Sequence, residues 1–200
     1  NNPSTAIIPL QGGAGASPAI IASGGATAGT RMLVVGVNHG SGAFAGNIVD
    51  NTVAAPGLVA FTKIGTGTQT LSGENTYTGT TSLSNGTIIA DFTTASPLNS
   101  SSPILLQGGE LIITGAVAPT IGAVTLVQSG SDYTTNILRI QDGATVATPT
   151  LIGQSFAPLL LDLTGGGTFV ANSLTGLTDA NGVLGQGSGR RATIYVQDDS

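Results

Sequence analysis

The apolar positions of this chain fall in short runs, three to five residues long, broken by glycine, asparagine and threonine. No long window sets them at i, i+3, i+4 and i+7 with charges opposite, so an amphipathic helix is not predicted. The spacing of two is the recurring one. "TRMLVVGVN" (residues 30–38) reads as a strong strand, and "GAFAGNIVD" places Phe44, Gly46 and Ile48 on one side. The glycine-rich "QGGAGASPAIIASGGATAG" reads as turns around one short strand at residues 19–22.

One shape recurs: a glycine turn followed by a short β-prone run. It appears in "NGTIIA" from Asn85, "GGELII" from Gly108, "DGATVA" from Asp142 and "GGGTFV" from Gly165. The last glycines of those turns, Gly86, Gly109, Gly143 and Gly167, stand 23, 34 and 24 residues apart. A further segment, "IGAVTLV" from Ile121, falls inside the long interval. A loose period near two dozen residues is about one turn of a parallel β-solenoid. In such a fold alternate side chains point inward, glycine or Asn-Gly takes the positive φ of the corners, and neighbouring coils bury together what one coil cannot. Runs such as "GTIIA", "ELIIT" and "AVTLVQ" would supply the inner stack, with Leu83 and Ile88 inward. The expected fold is all-β, a parallel β-solenoid with turn-rich ends. Residues 1–40 form an N-terminal strand and cap region of it, and residues 41–200 the solenoid proper, in one continuous domain.

Composition narrows the function. Charged residues make up 8% of the 200 residues, with five Lys and Arg against ten Asp and Glu, where about 25% is usual. With 40% hydrophobic residues the chain should fold. A net charge of −5 and no basic stripe beyond Arg190-Arg191 argue against a nucleic-acid partner. Cysteine is absent, which leaves no disulfide framework or thiolate metal site. No apolar run approaches the roughly 18 residues of a membrane span, and the start carries no signal-peptide pattern. Asn1 is not a natural start, so the chain reads as a piece of a longer precursor.

The stretch "TKIGTGTQTLSGENTYTGTTSLSNGTIIA" (residues 62–90) carries one lysine, one glutamate and no other charge. Its residues Lys63, Gly65, Gly67, Leu71, Ser72, Gly73, Asn75, Thr76, Tyr77, Thr78, Gly79, Thr81, Gly86 and Thr87 resemble the autotransporter-associated β-strand repeat, also called the passenger-associated transport repeat, of bacterial surface proteins. The upstream "GSGAFAGNIVD" resembles what commonly precedes that repeat. The resemblance implies an exported, surface-displayed, right-handed parallel β-helix, and exposure and structure in place of chemistry. Within it, Lys63 reads as a strand-edge charge that discourages unwanted pairing, and Tyr77 as a corner residue with its hydroxyl in water.

Candidate chemistry is thin. His39 is the lone histidine, in "VNHGSG", and no G-x-S-x-G elbow accompanies it; it reads as a solvated turn residue. The carboxylates Asp50, Glu74, Asp91, Glu110, Asp132, Asp142, Asp162 and Asp179 are spread singly, and serve best as corner or surface groups. They would suit glycoside hydrolysis only if they converged on one solenoid face. Asp198-Asp199 reads as a solvated tail in place of a calcium site. Thr66, Thr68 and Thr70 share one strand face, as an ice-binding ladder would, but "ELIIT" and "TFVAN" do not continue it. No catalytic, cofactor or metal residue is expected. The expected role is a non-enzymatic, extracellular or cell-surface structural and adhesive element exported from a bacterium, the subunit of a self-assembling filament. Its partners would be other copies end to end, with cell-surface glycans as a further class. The segment Ser4, Thr5, Ala6, Ile7, Ile8, Pro9 and Leu10 is the candidate for strand addition to a neighbour; an ordinary N-terminal cap is the other reading. The alternative function is a monomeric passenger fragment that binds or acts on surface polysaccharide.

Overall fold

The computed structural model describes residues 4–7, 10–12, 19–23, 28–51, 57–115, 117–127, 135–153, 159–163, 166–175 and 194–197. In chain order β1 (Ser4–Ile7) and β2 (Ile20–Ala22) are followed by β3 (Gly29–Val35), β4 (Gly42–Phe44) and β5 (Asn47–Val49). Next come β6 (Gly57–Lys63), β7 (Thr68–Leu71), β8 (Thr81–Leu83), β9 (Thr87–Asp91), β10 (Ile104–Leu106) and β11 (Glu110–Thr114). Then follow β12 (Val124–Leu126), β13 (Asn136–Ile140), β14 (Thr145–Thr148) and β15 (Leu151–Gly153). The last are β16 (Leu159–Asp162), β17 (Thr168–Ala171), β18 (Leu174–Thr175) and β19 (Ile194–Gln197). No helix occurs among the described residues, and so none that is long and apolar enough to cross a membrane.

The strands stack into three faces. The first is an eight-stranded sheet, β1-β3-β6-β8-β10-β12-β15-β18, and the second a seven-stranded sheet, β4-β7-β9-β11-β13-β16-β19. The third face is built from the pairs β2-β5 and β14-β17. Strands in every face pair in parallel. This is a parallel β-solenoid, as the alternation predicts. The first face runs from β1 to β18 without a break at residue 40.

The core follows from alternation plus register. On the second face Ile88, Leu111, Leu138 and Leu161 form one inward row, and Leu71, Ala90, Ile113 and Ile140 the next. On the first face Leu83, Leu106 and Leu126 stack, beside Phe61, Thr81, Ile104, Val124 and Leu151. Nearly all are sealed from solvent, with Leu83, Leu106 and Leu126 at 0% exposure. Each such side chain contributes about 1.5–3 kcal/mol on burial, and only because a coil lies on both sides of it.

The glycine turns mark corners, but not one corner. Gly86 and Gly109 lead into β9 and β11 on the second face, Gly143 and Gly167 into β14 and β17 on the third, and Gly122 into β12 on the first. Counting between them therefore mixes faces. The register gives the true advance. On the first face Thr81 lies opposite Phe61, Ile104 opposite Thr81, Val124 opposite Ile104 and Leu151 opposite Val124, steps of 20, 23, 20 and 27 residues.

Truncating an inward residue flanked by coils should be costly. Leu106→Ala is expected to lower stability by about 2–5 kcal/mol, whereas Thr93→Ala on the exposed surface should stay within about 0.5 kcal/mol. Urea unfolding of the two variants followed by circular dichroism checks both.

Candidate functional site

The segment from β6 to β9 brings several polar side chains into the interior, Lys63, Gln69, Asn75 and Thr81 among them. Lys63 is in phase with Val59 and Phe61 on β6 and so points inward, 1% exposed. β6 lies between β3 and β8, so it is no edge. This corrects the reading of Lys63 as a strand-edge charge, since period-two alternation outranks the residue's polarity. Its ammonium donates to the carbonyls of Ile64 at 2.7 Å, Gly65 at 2.8 Å and Asn85 at 3.4 Å. Three donors meet three carbonyls at the corner between the first and second faces. Gly86, at φ +71°, keeps that corner open: a Cβ there would fall 2.7 Å from the Lys63 nitrogen and 2.4 Å from the Gly65 oxygen. Desolvation lowers the Lys63 pKa from its ordinary 10.5.

Gln69 does the same on β7. It takes the place in the second-face row that Ile88 occupies one coil on, and is 1% exposed. Its amide nitrogen lies 3.0 Å from Leu10 O, 3.0 Å from Thr70 O and 3.3 Å from Gly42 O, three carbonyls that share its two hydrogens, while Oε1 accepts from the Leu10 N–H at 2.8 Å. Gly42 is directly opposite Gln69 and has no side chain, so the amide passes over it to the coil beyond. Asn75, 2% exposed, bridges its two neighbours: Oδ1 accepts from the Ile48 N–H and Nδ2 donates to Pro97 O, both at 2.8 Å.

Tyr77 is 0% exposed, with its ring centroid 6.5 Å from that of Phe61. Its hydroxyl is not in water, which corrects that expectation. The chain tucks it under the corner between the third and first faces, where it meets Thr81 Oγ1 at 2.7 Å, which meets Ser102 Oγ at 3.1 Å, which donates to Gly79 O at 2.6 Å. Burial pushes the Tyr77 pKa up to about 12, against the smaller opposing pull of the Thr81 and Ser102 hydrogen bonds. Ser23 to Gly57 O and Thr148 to Gly122 O repeat the hydroxyl-to-glycine-carbonyl contact in other coils. Leu71 is fully buried, and Gly65, Gly67, Gly73 and Gly79 lie where a Cβ would meet a main-chain oxygen of the preceding coil.

The other candidates resolve as follows. Ser4, Thr5, Ala6 and Ile7 form β1, the outermost strand of the first face, paired to β3. Ile8 and Pro9 lie outside the described residues, and Leu10 is held by Gln69. His39 is an exposed turn residue at φ 61° whose Nδ1 accepts from the Thr66 N–H at 3.2 Å. Asp50 accepts from Val59 N, Thr78 N and Thr78 Oγ1, Glu74 from Ser96 N, and Asp91 from Thr93 N. Asp142 accepts from Thr114 Oγ1. On the outer second face Arg139 stands between Glu110 at 2.9 Å and Asp162 at 3.2 Å. The contact to Asp162 is an ion pair and not an aligned hydrogen bond. Asp132, Asp179, Arg190, Arg191, Asp198 and Asp199 lie outside the described residues. Among the described residues no three His, Asp or Glu side chains gather to hold a metal. The threonine ladder stops as expected: Thr68 faces Thr87 and then Glu110, and Thr70 faces Ile89.

Residues 61–90 match the passenger-associated-transport-repeat family model. The match covers β6 to β9 and takes in Lys63, Gln69, Asn75, Tyr77 and Gly86. The matched stretch thus contains several of the side chains that hold coil to coil here. No curated protein and no solved structure matches the chain. Sequence reading missed Gln69 and the Thr81–Ser102 chain; the alternation of "GLVAFTK" was the signal that could have placed Lys63 inside.

Two outcomes follow from this interior. Lys63→Met leaves the Ile64 and Gly65 carbonyls without their donor and should cost about 1–3 kcal/mol, read from denaturant midpoints at neutral pH. Tyr77 has a folded pKa near 12 against 10.0 unfolded, so the folded state keeps a proton that the unfolded chain releases. Its contribution is complete below pH 10 and is lost as pH rises towards about 12, at a limiting slope of about 1.4 kcal/mol per pH unit. Lys63, with a lowered pKa, acts in the opposite direction below 10.5. Subtracting the Tyr77→Phe profile from the wild-type profile isolates the tyrosine slope; identical profiles would contradict it.

Proposed function

We propose that this chain is a structural segment of a bacterial cell-surface or secreted protein, a non-enzymatic β-solenoid rod that continues end to end with a neighbouring solenoid. The repeat and the parallel stack fit a passenger-like surface protein. The observation that carries the end-to-end reading is the difference between the last third-face coil and the one before it. Val146 and Thr148 on β14 are 0% and 1% exposed. Phe169 and Ala171, their ladder partners on β17, are only partly buried. Among the described residues no strand pairs with the outer edge of β17. At the other end, among the described residues no strand pairs with the outer edge of β1, and such an edge is the kind of template that recruits a further strand. One further coil would complete the burial of Phe169, and a head-to-tail contact that does not close gives a fibre. The weakly charged outer faces tolerate lateral packing into such assemblies, which suits adhesion at a surface.

Negative-stain electron microscopy and sedimentation of the whole chain test this. Rods longer than one molecule and a weight-average mass that climbs with concentration are expected, and Ala6→Lys on β1 should reduce both. A single species at 19.6 kDa at every concentration would remove self-association as the function.

A further inference from the structure

Among the described residues the main-chain ladder of the third face has a gap. Asn75 N donates to Ser96 O at 3.0 Å, and Thr145 N and Ala147 N donate to Val117 O and Pro119 O at 3.0 Å each. Between these two stretches, among the described residues, no main-chain hydrogen bond joins residues 96–100 to residues 117–120. The coils stay bonded at the two flanking corners, through Phe92 N to Thr114 O and Ile104 N to Ala123 O. A depression of about 250 Å³ opens in the gap.

Its chemistry is specific. Phe92 and Leu98 lie beneath it, 6% and 2% exposed. The rim carries Glu74, Ser96, Asn99 and Thr120, and no lining residue is Lys, Arg or His. Glu74 is not a free surface acid: its Oε2 accepts from the Ser96 N–H at 2.9 Å, which ties the carboxylate to the rim and leaves Oε1 to accept from a ligand. An anion is disfavoured by that carboxylate and by the chain's net charge of −5. A purely apolar molecule would leave the hydroxyls and amide of the rim unpaired. A ligand with an apolar face and a hydroxylated edge satisfies both surfaces. At about 250 Å³ the depression suits one sugar ring, and the rest of a longer glycan would lie outside it.

We propose that this lateral depression binds a single neutral hexopyranose unit, free or as one residue of a glycan, with Glu74 and Asn99 hydrogen-bonding adjacent hydroxyls and the ring resting over Phe92 and Leu98. The site lies on the side of the solenoid, so it does not depend on end-to-end assembly; a chain that stays monomeric would still carry it.

Amide chemical shifts of the whole ¹⁵N-labelled chain, titrated with methyl glucoside, methyl galactoside, methyl mannoside and N-acetylglucosamine, test the site. At least one should give saturable shifts centred on Ser96, Asn99 and Thr120, with a dissociation constant on the order of 1–10 mM for a ligand of this size. Thr120→Trp, at an exposed position, fills the depression and should abolish those shifts. Glu74→Gln keeps the shape and should weaken binding about fivefold. The proposal is overturned if none of the four sugars gives saturable shifts, or if the shifts persist undiminished in Thr120→Trp. It is also overturned if only an extended peptide, titrated in parallel, perturbs these amides, which would make the gap a strand-addition site.

Discussion

Successive coils of this solenoid touch main chain to main chain, and that contact governs nearly everything else in the molecule. At the corners a carbonyl of one coil occupies the place where a side chain of the next would begin. A Cβ on Gly73 would fall 1.9 Å from Gly46 O, and one on Gly122 equally close to Ser102 O. At such corners glycine is therefore a packing requirement before it is a conformational one. Close stacking also explains why three-residue strands suffice on the first face: β8, β10 and β12 are each hydrogen-bonded on both sides and sealed by the rows above and below.

Such a stack cannot keep polar groups out of its interior, and it turns them into fasteners. Lys63, Gln69, Asn75 and the Tyr77–Thr81–Ser102 chain sit in positions that alternation assigns to the core, and each finds a main-chain or hydroxyl partner, most of them in another coil. Unpaired, each would be a liability. Paired, they specify register, because a slip of one residue would send them to the surface and leave the carbonyls at Gly65, Leu10 and Pro97 without donors. The repeat at residues 61–90 takes in all of this set but Ser102. Its buried polar positions Lys63, Gln69, Asn75 and Tyr77 therefore act as register marks.

Much of the architecture was legible beforehand because a solenoid writes itself in two simple signals, alternation and corner glycines. Phe44, Gly46 and Ile48 on one side, Leu83 and Ile88 inward, and the strand at β3 all followed from spacing two. The coil length was only approximately legible. Gly86, Gly143 and Gly122 look alike in sequence, yet open different faces, since any short strand entered from a tight corner needs the same residue. The interior of Tyr77 and the reach of Gln69 were not legible, because both depend on what lies one or two coils away at the same height. The lateral depression was hidden for a related reason: it arises from hydrogen bonds that a stretch of chain does not make.

The path of Gln69 over Gly42 to Leu10 has a consequence for how the rod comes apart. A stack whose coils speak only to their immediate neighbours unravels from its ends one unit at a time, each loss nearly independent of the next. Here an interior amide grips the chain two coils away, through both Leu10 N and Leu10 O. Peeling off the first coil thus exposes a buried side chain in the third and strips it of its partners. The N-terminal coils gain a shared opening transition, and fraying at that end becomes a cooperative event spanning three layers of the molecule.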